Sequence, residues 1–84
     1  MPRALVTQAV HVPAGQREAA LRDLRQRRDT LESHGCHYWL FEDPDLPGFL
    51  IEFFEARDAE TLREARDRAG VARDDIRILS EVEL

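Results

Sequence analysis

Lysine and asparagine are absent from this chain, and cysteine, tryptophan and tyrosine occur once each. A lone cysteine rules out a disulfide within the chain, and with it the small stapled scaffolds that depend on one. No apolar run approaches the roughly 18 residues of a membrane-spanning helix. The opening MPRALVTQAV lacks the charged-then-apolar layout of an export signal, which leaves a cytoplasmic, reducing compartment as the expectation. All 12 basic residues are arginines, outnumbered by 17 acidic ones, for a net charge of -5. That balance argues against nucleic acid and against an anionic membrane as partners. Phosphate-binding loops, nucleophile triads and paired catalytic carboxylates are missing as well.

What is present is patterning, spread over 84 residues that suffice for a single domain, 1–84, with a modest core. RALVTQAVHV alternates as a strand: Ala4, Val6, Val10 and Val12 share one face, interrupted by Gln8, and Leu5, Thr7, Ala9 and His11 share the other. Pro13 ends it. From Gln16 to Ser33 the spacing turns helical, with Ala20, Leu21, Leu24 and Leu31 on one stripe and Gly35 as the stop. CHYWLFE and FLIEFFE read as two strands joined by the turn DPDLPG. Asp58 then offers an N-cap to a short helix with Glu60 in its first turn, Arg66 and Arg68 in its last, and Gly70 as its stop. IRILSEVEL closes the series as an alternating strand over Ile76, Ile78, Val82 and Leu84. The order strand, helix, strand, strand, helix, strand is that of the α+β, ferredoxin-like βαββαβ fold, a four-stranded antiparallel sheet with two helices on one face.

The third strand is apolar on both sides: Phe49, Ile51 and Phe53 point one way, Leu50 and Phe54 the other. Two helices cover one face only. Leaving the three residues bare forgoes roughly 1.5–3 kcal/mol each, against a total domain stability of about 5–15 kcal/mol. The simplest cover is a second copy packed sheet on sheet, so a homodimer is expected, with Trp39, Phe49, Ile51 and Phe53 at its interface.

SHGCH sets His34 and His37 about Cys36, a spacing that invites thoughts of a metal or a reactive thiol. With the helix stopping at Gly35 and a strand beginning there, Cys36 and His37 point to opposite faces and do not converge on an ion. A thiol that follows a helix carboxyl end is discouraged from ionising, and Cys36 reads as a small buried hydrophobe. Glu42, Asp43 and Asp45 form a solvated turn stiffened by two prolines, and RQRR from Arg25 to Arg28 forms a charged helix face. No metal is expected.

The stretch YWLFEDPDLPGFLIEFFEARDAETL resembles the corresponding part of the antibiotic biosynthesis monooxygenase family of the dimeric α/β-barrel superfamily. There a strand ends in an Asp-Pro-rich turn, the next carries a Glu followed two residues later by a Trp, and a short polar link leads to the second helix. Glu52 stands at the Glu position and Phe54 at the Trp position, and VPAGQ is similar to the family's Pro-Gly approach to the first helix with one residue inserted. The resemblance implies a homodimer whose sheets close into an α/β barrel, each subunit keeping a pocket between its sheet and its helices. Members include cofactor-independent oxygenases of electron-rich aromatic molecules, haem-degrading enzymes and proteins without a known role. The haem-degrading members use an Asn on the first strand, the Trp on the third and a His on the second helix. Here those places hold Gln8, Phe54 and no His, so haem is disfavoured and no cofactor is expected.

On the helix-facing side the first strand sends in Val6, Gln8 and Val10, and the third Leu50, Glu52 and Phe54. A buried amide and a buried carboxylate need partners. Arg28, in line with Leu21, Leu24 and Leu31, can supply one. Tyr38 and Trp39 occupy opposite faces of the second strand, so at most one of them lines the pocket; Tyr38 brings a hydroxyl. The pocket candidates are therefore Gln8, Arg28, Tyr38, Glu52 and Phe54, with no catalytic residue assigned. Two functional readings stay open. One is a metal-free, oxygenase-like or related enzyme acting on a small planar organic molecule, and the other is a non-catalytic dimeric module that binds a ligand or serves as an accessory.

Overall fold

A computed structural model describes residues 2–71 and 76–84. Alternating segments form β1 (Ala4–His11), β2 (His37–Glu42) and β3 (Phe49–Ala56), and the helically spaced ones form α1 (Arg17–Ser33) and α2 (Ala59–Arg68). A two-residue β4 (Leu79–Ser80) completes an antiparallel sheet in the order β2-β3-β1-β4. α1 lies over β2, and α2 lies over β3 and β1, so both helices cover one face of the sheet as the βαββαβ order requires. Asp58 Oδ1 accepts the Thr61 N–H at 2.7 Å and caps α2.

Both helices end in the same way. The Cys36 N–H reaches back to the Leu31 carbonyl (3.0 Å) and the Gly35 N–H to that of Glu32 (3.3 Å). The Val71 N–H likewise reaches Arg66 (2.8 Å) and the Gly70 N–H reaches Asp67 (3.1 Å). These are Schellman stops, and each needs a left-handed residue at its glycine, with φ of 83° at Gly35 and 71° at Gly70. In each the residue after the glycine, Cys36 or Val71, is buried, which sews the helix end into the core. Burial also lifts the Cys36 thiol to a pKa of about 11, so a structural role suits it.

The helix-facing side of the sheet holds the core: Ala4, Val6, Leu50, Phe54, Ala56 and Tyr38, with Leu31, Leu62 and Ala65 above them. The opposite face is uncovered by any described residue. Trp39, Phe49 and Ile51 lie on it and are 48 %, 49 % and 38 % exposed, with Phe41 and Leu79 beside them. Phe53, on the same face, is half-buried against the edge of the Phe41 ring at 5.3 Å.

The final strand is much shorter than its alternation predicts. Ile76 and Ile78 pack on the core, but past Ser80 the described backbone adds one further bond, from the Glu81 N–H to the Arg3 carbonyl at 2.8 Å, beside a two-point ion pair between the side chains of the same two residues. Continuing the register sets Val82 opposite Pro2, in a pair that exchanges no backbone hydrogen bonds, and the ladder stops there. Val82 and Leu84 are exposed.

Replacing Gly35 with alanine should show what the Schellman stop contributes. A Cβ there would sit 3.3 Å from Thr61 Cγ2 on a backbone that L-residues avoid. A loss of about 1–2 kcal/mol is expected, seen in a circular-dichroism melt as a fall of roughly 4–8 °C per kcal/mol. An unchanged melting temperature would contradict the assignment.

Candidate functional site

Gln8 and Glu52 are directly paired across β1 and β3, and the alternation of each strand turns both side chains toward the helices. Glu52 is completely buried. Its Oε1 accepts from Gln8 Nε2 at 2.8 Å, and its Oε2 accepts from the Tyr38 hydroxyl at 2.6 Å and from Arg27 Nη1 at 2.7 Å. Three elements therefore meet on one carboxylate. Gln8 passes the connection on: its Oε1 accepts from Arg66 Nη2 at 3.1 Å, and the same nitrogen donates to the Val71 carbonyl at 2.8 Å. The Arg66 guanidinium lies 4.3 Å from the centre of the Phe54 ring, which Tyr38 meets edge-on at 5.3 Å. Burial, the bond to Glu52 and the charge of Glu52 together push the Tyr38 phenol well above the ordinary tyrosine value, so it stays protonated as a donor.

Of the residues singled out in the sequence, Gln8, Tyr38, Glu52 and Phe54 are brought together, and Arg28 is not. Arg27 takes the place assigned to Arg28. The two arginines flank the line from Leu24 to Leu31 by roughly 50° on either side. Including Leu21 draws that stripe toward Arg28, whereas the sheet centre lies on the side of Ala20 and Arg27. Arg28 bonds Asp29 at 3.1 Å and borders a second hollow, of about 310 Å³, with Tyr38 and Trp39 at the β2 edge. Arg66, placed by the sequence in the last turn of α2 where a basic residue suits the helix dipole, is 1 % exposed. Its spacing with Leu62, Ala65 and Ala69 carried the signal, because all four fall on one helical stripe.

Beside the network runs a groove of about 480 Å³, between the second half of β1, the first half of α1 and the Gly70–Val71 turn. Gln8 and Arg27 are the network members that line it; Glu52, Tyr38 and Phe54 stand behind them. Val10, Val12, Leu24 and Val71 supply apolar wall, and His11, Gln16 and Asp23 a polar rim. A carboxylate with no exposure cannot reach a molecule in the groove, so Glu52 acts by orienting Gln8 and Arg27. The positions weighed for haem in the sequence do not favour it: the Gln8 amide is bonded through both Oε1 and Nε2, and α2 carries no histidine.

His34, Cys36 and His37 separate as expected. His34 Nδ1 sits 2.9 Å from the Thr30 carbonyl, Cys36 enters the core, and His37 Nδ1 meets Glu55 Oε1 at 2.7 Å on the uncovered face. Among the described residues no three histidine, cysteine, aspartate or glutamate side chains converge on one point, and no helix is long and apolar enough to cross a membrane.

Two measurements test this network. Because Tyr38 is the only tyrosine, tyrosinate absorbance at 295 nm reports it alone. The native protein should show no step near pH 10. With the native value raised, the unfolded chain loses its proton first, so stability should be flat below about pH 10 and fall as the pH rises further. In Glu52→Gln, the new amide must set a donor against Gln8 Nε2 or against the Tyr38 and Arg27 pair. Urea unfolding should show a loss of about 3–5 kcal/mol, the usual figure for breaking a buried pair, at unchanged slope.

No protein-family model and no curated protein sequence matches the chain. Solved structures do. PA3566 from Pseudomonas aeruginosa is 19% identical with a TM-score of 0.64, over 99% of this chain and 94% of its own. Rv0793 from Mycobacterium tuberculosis is 20% identical with a TM-score of 0.65, over 100% and 96% of the two chains. A Bordetella bronchiseptica protein named "Putative antibiotic biosynthesis monooxygenase" is 13% identical with a TM-score of 0.62, over 100% and 99%. At such identities the likeness establishes the fold, and the fold is that of the antibiotic biosynthesis monooxygenase-like proteins.

Proposed function

We propose that this chain is a cytoplasmic homodimer, closed into an α/β barrel, whose groove binds a small planar organic molecule in the manner of a metal-free, oxygenase-like enzyme. The observation that carries the reading is the groove itself. Its volume of about 480 Å³ lies within the range of small-molecule sites, and it joins apolar walls to two polar side chains held from behind by a buried carboxylate. Pre-set donors in an apolar cleft orient a flat molecule without reorganising. The fold shared with two proteins named "putative antibiotic biosynthesis monooxygenase" supports the reaction class.

A second reading, a non-catalytic ligand-binding or accessory module, is favoured by one specific feature. The Tyr38 proton is committed to Glu52, and Glu52 is sealed from the groove, so neither is free to exchange a proton with a bound molecule. Oxygen uptake in the presence of a molecule shown to bind separates the two.

The homodimer is supported by the uncovered face that carries Trp39, Phe41, Phe49 and Ile51. Light scattering at micromolar concentration should give twice the chain mass of 9.7 kDa, and Ile51→Asp should give the single mass by placing a charge on that face. A monomeric parent protein would refute the sheet-on-sheet arrangement. Native mass spectrometry of protein purified from cells should also show a retained organic mass, which Arg27→Ala diminishes.

A further inference from the structure

Arg27 does more than close the Glu52 network, and the way its guanidinium is divided names a chemistry for the groove. Nη1 is held by Glu52 at 2.7 Å, while Nε and Nη2 make no hydrogen bond among the described residues. The Arg27 side chain is 28 % exposed and lines the groove. Nε and Nη2 form the side-on fork of an arginine, two parallel N–H bonds whose spacing matches the two oxygens of a carboxylate. Gln8, fixed at Oε1 by Arg66 and at one Nε2–H by Glu52, keeps its second Nε2–H for the same space. Of the groove's polar side chains, the two held rigid are thus donors on the groove side. Asp23, the one acidic residue lining the groove among those described, is exposed on the rim and makes no bond to Arg27.

We infer that the groove's ligand is a carboxylate-bearing planar molecule, its carboxylate held two-point on the Arg27 Nε–Nη2 fork and its apolar body against Val10, Val12, Leu24 and Val71. This rests on the groove being the binding site, as proposed above, and adds the charge and geometry of the molecule it takes. Anchoring Nη1 to an unexposed carboxylate removes most of the rotamer freedom that a surface arginine loses on binding, which favours a fixed two-point contact over a loose ion pair.

The test uses the full-length protein and a set of one- to three-ring aromatic carboxylates, beginning with 2-naphthoate, each paired with its neutral primary amide. Calorimetry should show carboxylates binding at least tenfold more tightly than their amides. The Arg27 Nε–H resonance should shift on titration with the carboxylate and not with the amide. Arg27→Lys, which keeps the charge but loses the fork, should reduce carboxylate affinity at least fivefold and amide affinity by less, so that the ratio between them narrows. Equal binding of both members of the pairs, or a preference that survives in Arg27→Lys, overturns the inference while leaving the groove as a ligand site. If neither member of any pair binds, the groove reading falls with it. Should Arg27→Lys fail to fold, the carboxylate-to-amide ratio and the Nε–H shift in the parent protein decide the matter alone.

Discussion

A single unexposed carboxylate organises this small protein. Moving an ion such as Glu52 out of water costs several kcal/mol even after the surroundings relax, and only well-aimed donors offset it. Those donors come from β1 (Gln8), β2 (Tyr38) and α1 (Arg27), and Gln8 extends the connection to α2 through Arg66. Most major elements of the fold therefore answer to one side chain on β3. The net stabilisation from such a cluster is small, because its bonds largely repay desolvation; its effect lies in making one arrangement of the elements far better than its neighbours.

The two faces of the sheet solve opposite problems. Toward the helices, the apolar side chains are buried among themselves and the few polar ones are tied to each other, with the groove left where α1 and the α2 stop draw apart over β1. On the other side a row of aromatic and aliphatic residues faces outward with nothing over it among the described residues. In a chain of this size, with a modest core, that row is a sizeable share of the apolar surface left in water, which is why a covering second copy is proposed.

Much of the fold was legible because the local signals agree. Alternation marked the first three strands, the two glycines after α1 and α2 marked their ends, and Asp58 marked the start of α2. Strand parity placed Gln8, Glu52 and Phe54 on one face, and the hydroxyl of Tyr38, rather than parity, singled it out over Trp39. The choice between Arg27 and Arg28 was not legible, since both sit at helical spacing from Leu24 and Leu31, and only the lateral position of the helix over the sheet separates them. Arg66 was hidden by a sound local argument: a basic residue in a last turn suits the helix dipole, and that explanation displaced the equally visible stripe with Leu62, Ala65 and Ala69. The last strand failed because pairing depends on the partner, and the pattern of IRILSEVEL holds no information about how far β1 extends at the other end of the chain.

The sequence FLIEFF has a consequence for how the sheet finds its correct side. With phenylalanine and aliphatic residues on both faces, hydrophobicity barely distinguishes β3 from the same strand turned over, and a slip of one residue exchanges the two faces. Such a flipped strand would bury Phe49, Ile51 and Phe53 quite acceptably. It would also strand Glu52 away from Tyr38 and Arg27 and turn it onto the apolar outer face. The least core-like residue of β3 is thus the one that tells the strand which way up to lie, and a sequence improved for greasiness at position 52 would lose that instruction while retaining every other signal for the fold.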